Sequence, residues 1–189
     1  MSVRPSILLV DNLDSFTFNI VEYLEILGAE VNVVRVNEIV ESHFHGINGV
    51  VISPGPGNPQ NLPILMKVIS DILDRLPILG ICLGFQAIAL KFGADIAKGN
   101  PYHGKISKVK MINEGRLNQN LPHDFEVVRY HSLIVKELKE PLIPLLETNA
   151  GELMAFEHKS KPIMGVQFHP EAYLTQFGFD LLKNWLSLC

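Results

Sequence analysis

Three short segments contain residue types that could carry out acyl chemistry. Gly80-Ile81-Cys82-Leu83-Gly84 sets a thiol between two glycines, behind the apolar run 78–81 and ahead of a helical pattern. A nucleophile at a strand-to-helix turn needs small neighbours, because the turn is strained and its apex side chain is pushed out above the sheet. The start of the next helix offers free N–H groups and a positive dipole end, which favour a thiolate. The Leu83 N–H would face a developing oxyanion. The same pentapeptide also reads as a small buried cysteine in a Gly-rich turn.

The second segment, Ser53-Pro54-Gly55-Pro56-Gly57-Asn58-Pro59, follows an apolar run. It would lie at the carboxyl end of a parallel strand, where open α/β sheets keep their sites. Its glycines let backbone approach a ligand and could supply a second oxyanion donor, while its prolines stiffen it; a rigid surface turn is the plainer alternative. The third, Val166-Gln167-Phe168-His169-Pro170-Glu171, ends another strand-like run. A thiolate nucleophile needs a base, and the base needs an orienting partner. His169 and Glu171 can supply both, although a histidine here could equally be a hydrogen-bonded loop residue. Cys82, His169 and Glu171 form a set in the order nucleophile, base, acid.

These segments require a scaffold that brings strand ends together. Ile7 to Val10 reads as a buried strand. Phe16, Ile20, Leu24 and Leu27 recur at helical spacing until Gly28. Strands follow at 31–36, 50–52 and 78–81, with helices at 62–76 and 84–92. Such alternation predicts an α/β fold with a mostly parallel sheet and helices on both faces. Strand-like runs at 105–112, 125–129, 153–157 and 163–168, with few helices between them, predict an antiparallel extension. A last helix carries Phe177, Leu181, Trp185 and Leu188 on one face.

The bulk composition narrows the field. A chain of 189 residues, 47% hydrophobic and 19% charged, suits one ordered domain over 1–189 with a sizeable core. The net charge of −4, without a Lys/Arg block, gives no sign of nucleic acid or an anionic membrane. No apolar run is long enough to span a bilayer. Met1-Ser2-Val3-Arg4-Pro5 lacks the layout of a signal peptide, so a cytoplasmic protein is expected. Cys189 is the last residue, where chains usually fray, and a disulfide to Cys82 is not expected. No cysteine or histidine spacing suggests a metal site; His43 and His45 read as surface loop residues.

Taken together, the motifs resemble those of the class I glutamine amidotransferases. The closest resemblance is to the small subunits that serve anthranilate and 4-amino-4-deoxychorismate (para-aminobenzoate) synthesis. It runs over essentially the whole chain. It is carried by Leu9-Val10-Asp11-Asn12-Leu13-Asp14-Ser15-Phe16-Thr17, the Pro54–Gly57 turn, the segment 79–86, Tyr102-His103-Gly104-Lys105, Arg129-Tyr130-His131-Ser132-Leu133 and His169-Pro170-Glu171. The cysteine and His-Pro-Glu motifs indicate the class, and the 11–17 and 130–133 segments indicate the chorismate-linked branch. Phe85 replaces a frequent His, Tyr102 a common Met, and Ala172-Tyr173 the usual Ser-Ile; 60–63 lacks the usual Ala-Gly. None of these departures removes a catalytic group.

The resemblance implies the three-layer class I amidotransferase fold, with Cys82 as nucleophile, His169 as base and Glu171 as its orienting acid. It implies that Gly55, Pro56, Gly57, Leu83, Gln86, Ser132 and Leu133 contact glutamine. Gln86 also lies one turn beyond Cys82 on the same helix face. Glutamine would be hydrolysed to glutamate without a metal or organic cofactor, and the ammonia passed to a chorismate-binding synthase large subunit (component I). The product, anthranilate or aminodeoxychorismate or both, is left open. So are service to another synthetase, a non-catalytic regulatory role, and a cysteine peptidase or γ-glutamyl hydrolase acting alone. The 11–15 and 103–105 loops are candidate docking surfaces, though Asp11, Asn12, Asp14 and Ser15 could simply cap the first helix.

Overall fold

Successive side chains of a strand point to opposite faces, so an unbroken apolar strand must be covered on both. β1 (Ser6–Asp11) shows this directly: Ile7 and Leu9 enter one core, Leu8 and Val10 the other. The first core is closed by α1 (Thr17–Ile26), through Ile20 and Leu24, and by α4 (Gly178–Leu186), through Leu181 and Trp185. The second is closed by α2 (Pro63–Ile72), through Leu65 and Ile69, and α3 (Leu83–Lys91), through Ile88. The result is a three-layer α/β/α arrangement. It is seen in a computed structural model that describes residues 4–189. The reading of the N-terminus as leaderless includes Met1, Ser2 and Val3, which lie outside the described residues.

The remaining strands are β2 (Glu30–Arg35), β3 (Gly49–Ile52), β4 (Ile78–Ile81), β5 (Asp95–Lys98), β6 (Lys105–Met111), β7 (Asp124–Arg129), β8 (Leu133–Glu137), β9 (Leu142–Thr148), β10 (Leu153–His158) and β11 (Ile163–Val166). Nine of the strands form one sheet in the order β2-β1-β3-β4-β11-β10-β9-β6-β7, and β5 pairs with β8 in a separate ribbon. From β2 to β11 the pairing is parallel; from β11 outward it is antiparallel. β11 therefore belongs to both halves: it runs parallel to β4, with Val166 opposite Ile81, and antiparallel to β10. That register places the ends of β4 and β11, hence Cys82 and the His169 segment, side by side.

Several elements differ from the sequence reading. β5, β8 and β9 are additional strands. α2 ends at Ile72; residues 73–76 continue as a turn in which the Arg75 and Leu76 amides both donate to the Ile72 carbonyl. Phe16 is the N-cap of α1 rather than part of its core face. Cys189 is not frayed: a Cβ added at Gly49 would lie 2.5 Å from its sulfur, and its thiol is pushed up to about 12 by burial. Both cysteines are free thiols.

Because Leu24 is fully buried between α1 and β1 while Ile26 on the same helix is exposed, their truncations should separate cleanly. Leu24→Ala is expected to destabilise the fold by about 2–5 kcal/mol in urea unfolding. Ile26→Ala should stay within about 0.5 kcal/mol of the parent.

Candidate active site

The turn from β4 to α3 is built on close backbone contact. A Cβ at Gly80 would lie 2.5 Å from the Gly84 carbonyl group, and one at Gly84 would lie 2.4 Å from the Ile52 carbonyl oxygen. With both positions bare, Cys82 takes φ 51° and ψ −96°, a left-handed conformation that a residue with a side chain adopts only under constraint. Its N–H donates to the Val166 carbonyl (2.8 Å) and its carbonyl accepts from the Gln86 N–H (3.1 Å). The thiol is thereby held at the N-terminus of α3, 6% exposed.

The 55–57 turn is pressed against this elbow. A Cβ at Gly55 would meet Asn12 Cβ at 2.5 Å and Leu83 Cδ2 at 2.9 Å, so glycine is required for the approach. Asn12 is buried and locks the turn: its N–H donates to Ser53 Oγ (2.9 Å) and its side-chain amide to the Ser53 carbonyl (3.0 Å). Asp11 Oδ1 accepts from the Leu13 N–H and the Thr17 hydroxyl, and Asp14 Oδ1 from the Phe16 N–H. The carboxylates of this loop thus organise the entry to α1, while Asn12 ties the loop to the site.

The His-Pro-Glu segment follows β11. His169 Nδ1 and Glu171 Oε1 are 2.6 Å apart, and each residue is 2% exposed. The His169 N–H donates to the Val128 carbonyl, and its own carbonyl accepts from the Thr175 hydroxyl. The start of α4 closes on the segment so tightly that a Cβ at Gly178 would fall 1.9 Å from the Pro170 carbonyl oxygen. The imidazole packs edge-on against Phe16 and Tyr130, with ring centroids 5.4 and 5.2 Å away. Nε2 is buried without a full hydrogen bond at rest, yet the Cys82 sulfur is near enough to act on it. Burial works against charge on this ring. The hydrogen bonds and negative charges of Cys82 and Glu171 outweigh it and raise the imidazole above its ordinary range. A base that readily holds a proton beside a sulfur nucleophile, oriented by a buried carboxylate, is suited to moving that proton to a leaving group.

Cys82 opens into a cavity of about 170 Å³, smaller than the ~300–1,000 Å³ of sites for drug-sized ligands. Gly55, Pro56, Gly57, Leu83, Gln86, Ser132 and Leu133 all line it, joined by Tyr130 and His131. His169 and Glu171 are not on this wall. A larger cavity of about 640 Å³ lies elsewhere, around Arg116 and Glu157, but it holds no nucleophile, and its Glu157 carboxylate already accepts from the Arg116 N–H. Among the described residues, no group of three or more His, Cys, Asp or Glu is placed to hold a metal, and no helix is long and apolar enough to cross a membrane.

The structure adds residues whose roles the motifs did not suggest. Gln167 is fully buried and its amide donates to Cys82 Sγ at 3.7 Å; a lone polar residue in an otherwise apolar strand was its only signal. Arg129 is also buried, with its guanidinium 3.5 Å from the Tyr102 ring centroid, ion-paired with Glu152 and donating through Nε to His131 Nε2 (3.0 Å). No spacing rule connects these residues, because the pairing of separate strands brings them together.

The family description "Glutamine amidotransferase class-I" matches residues 8–188. Among curated relatives, "Anthranilate synthase component 2" of Mycobacterium tuberculosis is 42% identical over 97% of this chain and 82% of its own length. "Aminodeoxychorismate/anthranilate synthase component 2" of Bacillus subtilis is 39% identical over 96% of this chain and 95% of its own. A crystal structure from Thermoplasma acidophilum, provisionally assigned to a GMP synthase, superposes with a TM-score of 0.91 at 31% identity, covering 100% of this chain and 96% of that one.

His131, on the cavity wall, is pushed down to about 4 by burial and by the Arg129 charge, with a smaller push from His169; its bond to the Leu133 carbonyl only partly offsets these effects. Arg129 is itself ion-paired with Glu152. A histidine that stays neutral in the folded state but titrates at its ordinary value when unfolded makes the unfolded chain bind more protons between those values. Its contribution is complete above about 6.5 and is lost as pH falls toward 4. The parent should therefore lose stability over that interval more steeply than His131→Asn, by at most ~1.4 kcal/mol per pH unit. Urea unfolding of both proteins at pH 7, 6, 5 and 4 measures the difference.

Proposed function

The chain belongs to the class I glutamine amidotransferase family, and from that premise we propose that residues 1–189 act as one glutaminase unit supplying ammonia to a chorismate-using synthase. The observation that carries the reading is the constrained Cys82, open to a small cavity and near the buried His169–Glu171 pair.

In this reading the Cys82 thiolate attacks the side-chain amide carbon of glutamine. The N–H groups of Leu83 and the Gly55–Gly57 turn receive the oxyanion; losing one such donor typically lowers the rate by ~10²–10³. The C–N bond breaks as His169 delivers a proton to the departing nitrogen, which leaves as ammonia. The glutamyl thioester is then attacked by water, whose proton returns to His169, releasing glutamate and the thiol. Glu171 holds the imidazole orientation throughout. Every step uses this chain's own side chains and backbone.

The choice of acceptor is supported by the names of the relatives, which serve anthranilate and aminodeoxychorismate synthesis and match the chain at higher identity than the Thermoplasma structure does. That structure keeps service to another synthetase as the second reading. A large subunit would dock on the 11–15 and 103–105 loops, the first of which presents Leu13 (65% exposed).

Cys82→Ser is expected to abolish glutamine-dependent product formation while the assembled complex still uses added ammonium salt. His169→Ala should be about as damaging, since triad members act as a unit, and Glu171→Gln milder. An electrophilic glutamine analogue should label Cys82 and leave Cys189 untouched, as read by mass spectrometry. Full glutamine-dependent activity in Cys82→Ser would overturn the assignment.

The pocket walls at 55–57 and 132–133 are loops, and a misplacement of about 1 Å can lower a rate by ~10²-fold. Glutaminase activity should therefore rise from the chain alone, to the chain with a synthase large subunit, to the pair with chorismate. Steady-state glutamate release in the three conditions tests this; equal rates in all three would exclude gating by the partner.

A further inference from the structure

β7 is the last strand of the nine-stranded sheet, so one of its edges faces no further strand. Main-chain groups on such an edge still need partners where they are buried. The segment from His169 to Gln176 supplies them. The Val128 carbonyl accepts from the His169 N–H (3.0 Å), and the Glu126 carbonyl from the Gln176 N–H (2.9 Å). The N–H groups of the same two residues are met by side chains. Glu126 donates to Gln176 Oε1 (2.9 Å) and Val128 to Thr175 Oγ1 (3.0 Å). The Thr175 hydroxyl donates in turn to the His169 carbonyl (2.7 Å). A facing pair in an antiparallel ladder exchanges two main-chain bonds. Val128 and His169 exchange one directly, and the hydroxyl is inserted into the other. An amide N–H only donates and a carbonyl only accepts, so the group between them must do both.

We propose that Thr175 is a positioning residue: its hydroxyl fixes the main chain of His169 against the edge of β7, and thereby the approach of the imidazole to the Cys82 sulfur. The inference rests on the reading of His169 as the base that serves Cys82. Two other attachments of His169 lie within its own segment. Its carbonyl also accepts from the Ala172 N–H (3.2 Å), and Nδ1 bonds Glu171 Oε1 (2.6 Å). These move with the turn and do not set its place on the sheet. The packing of the ring against Phe16 and Tyr130 is only weakly directional. The bond from the His169 N–H to Val128 is a single point about which the turn can pivot. The path through Thr175 is a second point, and two points fix an angle. Removing the hydroxyl while keeping the shape leaves the N–H of Val128, a residue 3% exposed, without its acceptor. The pair then closes up or admits water, and either outcome shifts the His169 main chain. Among the described residues, the hydrogen bonds of Thr175 run to Val128, His169 and Ala172, none of which lines the cavity.

The test measures glutamate release by the full chain with a synthase large subunit and chorismate. Thr175→Val keeps the shape and loses the hydroxyl; Thr175→Ser keeps the hydroxyl and loses a methyl group. Thr175→Val is expected to lower kcat by more than about tenfold, on a scale where ~1 Å of misplacement costs ~10²-fold, with KM for glutamine within about threefold of the parent. Thr175→Ser should stay within about threefold of the parent in both constants. Gln176→Leu is the matched control, because it removes the same kind of edge bond from Glu126 and does not involve His169; its kcat should equal that of the parent. A smaller fall in Thr175→Val, a rise in KM that matches the fall in kcat, or an equal loss in Thr175→Ser or Gln176→Leu would overturn the proposal. Synthesis from added ammonium salt should be intact in every variant. Its loss in a folded Thr175→Val chain would assign the residue to docking of the large subunit and overturn positioning. Should Thr175→Val fail to fold, Thr175→Cys takes its place, since a thiol donates and accepts only weakly. The same fall in kcat without a rise in KM is expected, and a parent-like kcat would overturn the proposal. Cys82→Ser, run alongside, keeps the two readings apart. If it is inactive with glutamine while Thr175→Val matches the parent, positioning fails and the glutaminase reading stands. If Cys82→Ser stays active, the glutaminase reading fails and the proposal with it.

Discussion

The left-handed backbone of Cys82 is the constraint on which the rest of the site depends. A non-glycine residue held in such a region is disfavoured by about 1–3 kcal/mol and persists only where its surroundings over-determine it. Here Gly80 and Gly84 allow β4, α3 and β3 to approach at backbone distance, and the N–H and carbonyl of Cys82 are each claimed by a fixed partner. Relaxing the turn would require moving three packed elements of a core that is buried on both faces of the sheet. The strain is therefore carried by the whole α/β layer arrangement, and the sulfur is delivered to the cavity without a flexible loop beneath it.

Two polar systems converge on that sulfur. In the first, His169 and Glu171 form a short, fully buried pair hemmed in by Phe16, Tyr130 and the start of α4. In the second, a chain of hydrogen bonds passes from Glu152 through Arg129, His131, Leu133, Gln86 and Gln167. The first system is placed to exchange a proton with sulfur; the second contains only one group that titrates near neutrality, His131, and it is held neutral. The charges of the second system, on Arg129 and Glu152, are paired with each other, so its hydrogen-bond pattern does not depend on the protonation of His169.

The parts of the fold legible in the sequence were those whose signal is local. The strands at 7–10, 50–52 and 78–81 and the helix after Cys82 follow from apolar runs and glycine punctuation. The three catalytic candidates could be read from their position after strands. β9 was obscured by Pro144, which argues against an interior strand; the structure accommodates it where the β9–β10 register shifts, with the Pro144 carbonyl accepting from Asn113. β5 and β8 form a short, partly exposed ribbon with no clean alternation. The Arg129–His131–Gln86 chain could not be read at all, because it joins residues 47 positions apart through a main-chain carbonyl that has no side-chain signature.

β4 and β11 are neighbours in parallel register; β4 ends directly before Cys82, and β11 ends three residues before His169. Strands slide past one another only in whole steps of about 3.3 Å, and a single step reverses which face each side chain occupies. The placement of the two strand ends is therefore digital rather than analogue: it has one working value, and the adjacent values bury the wrong faces. Gradual tuning of activity by stretching or shearing the sheet is closed to this architecture. Modulation must act where the backbone can be adjusted continuously, in the loops that roof the cavity.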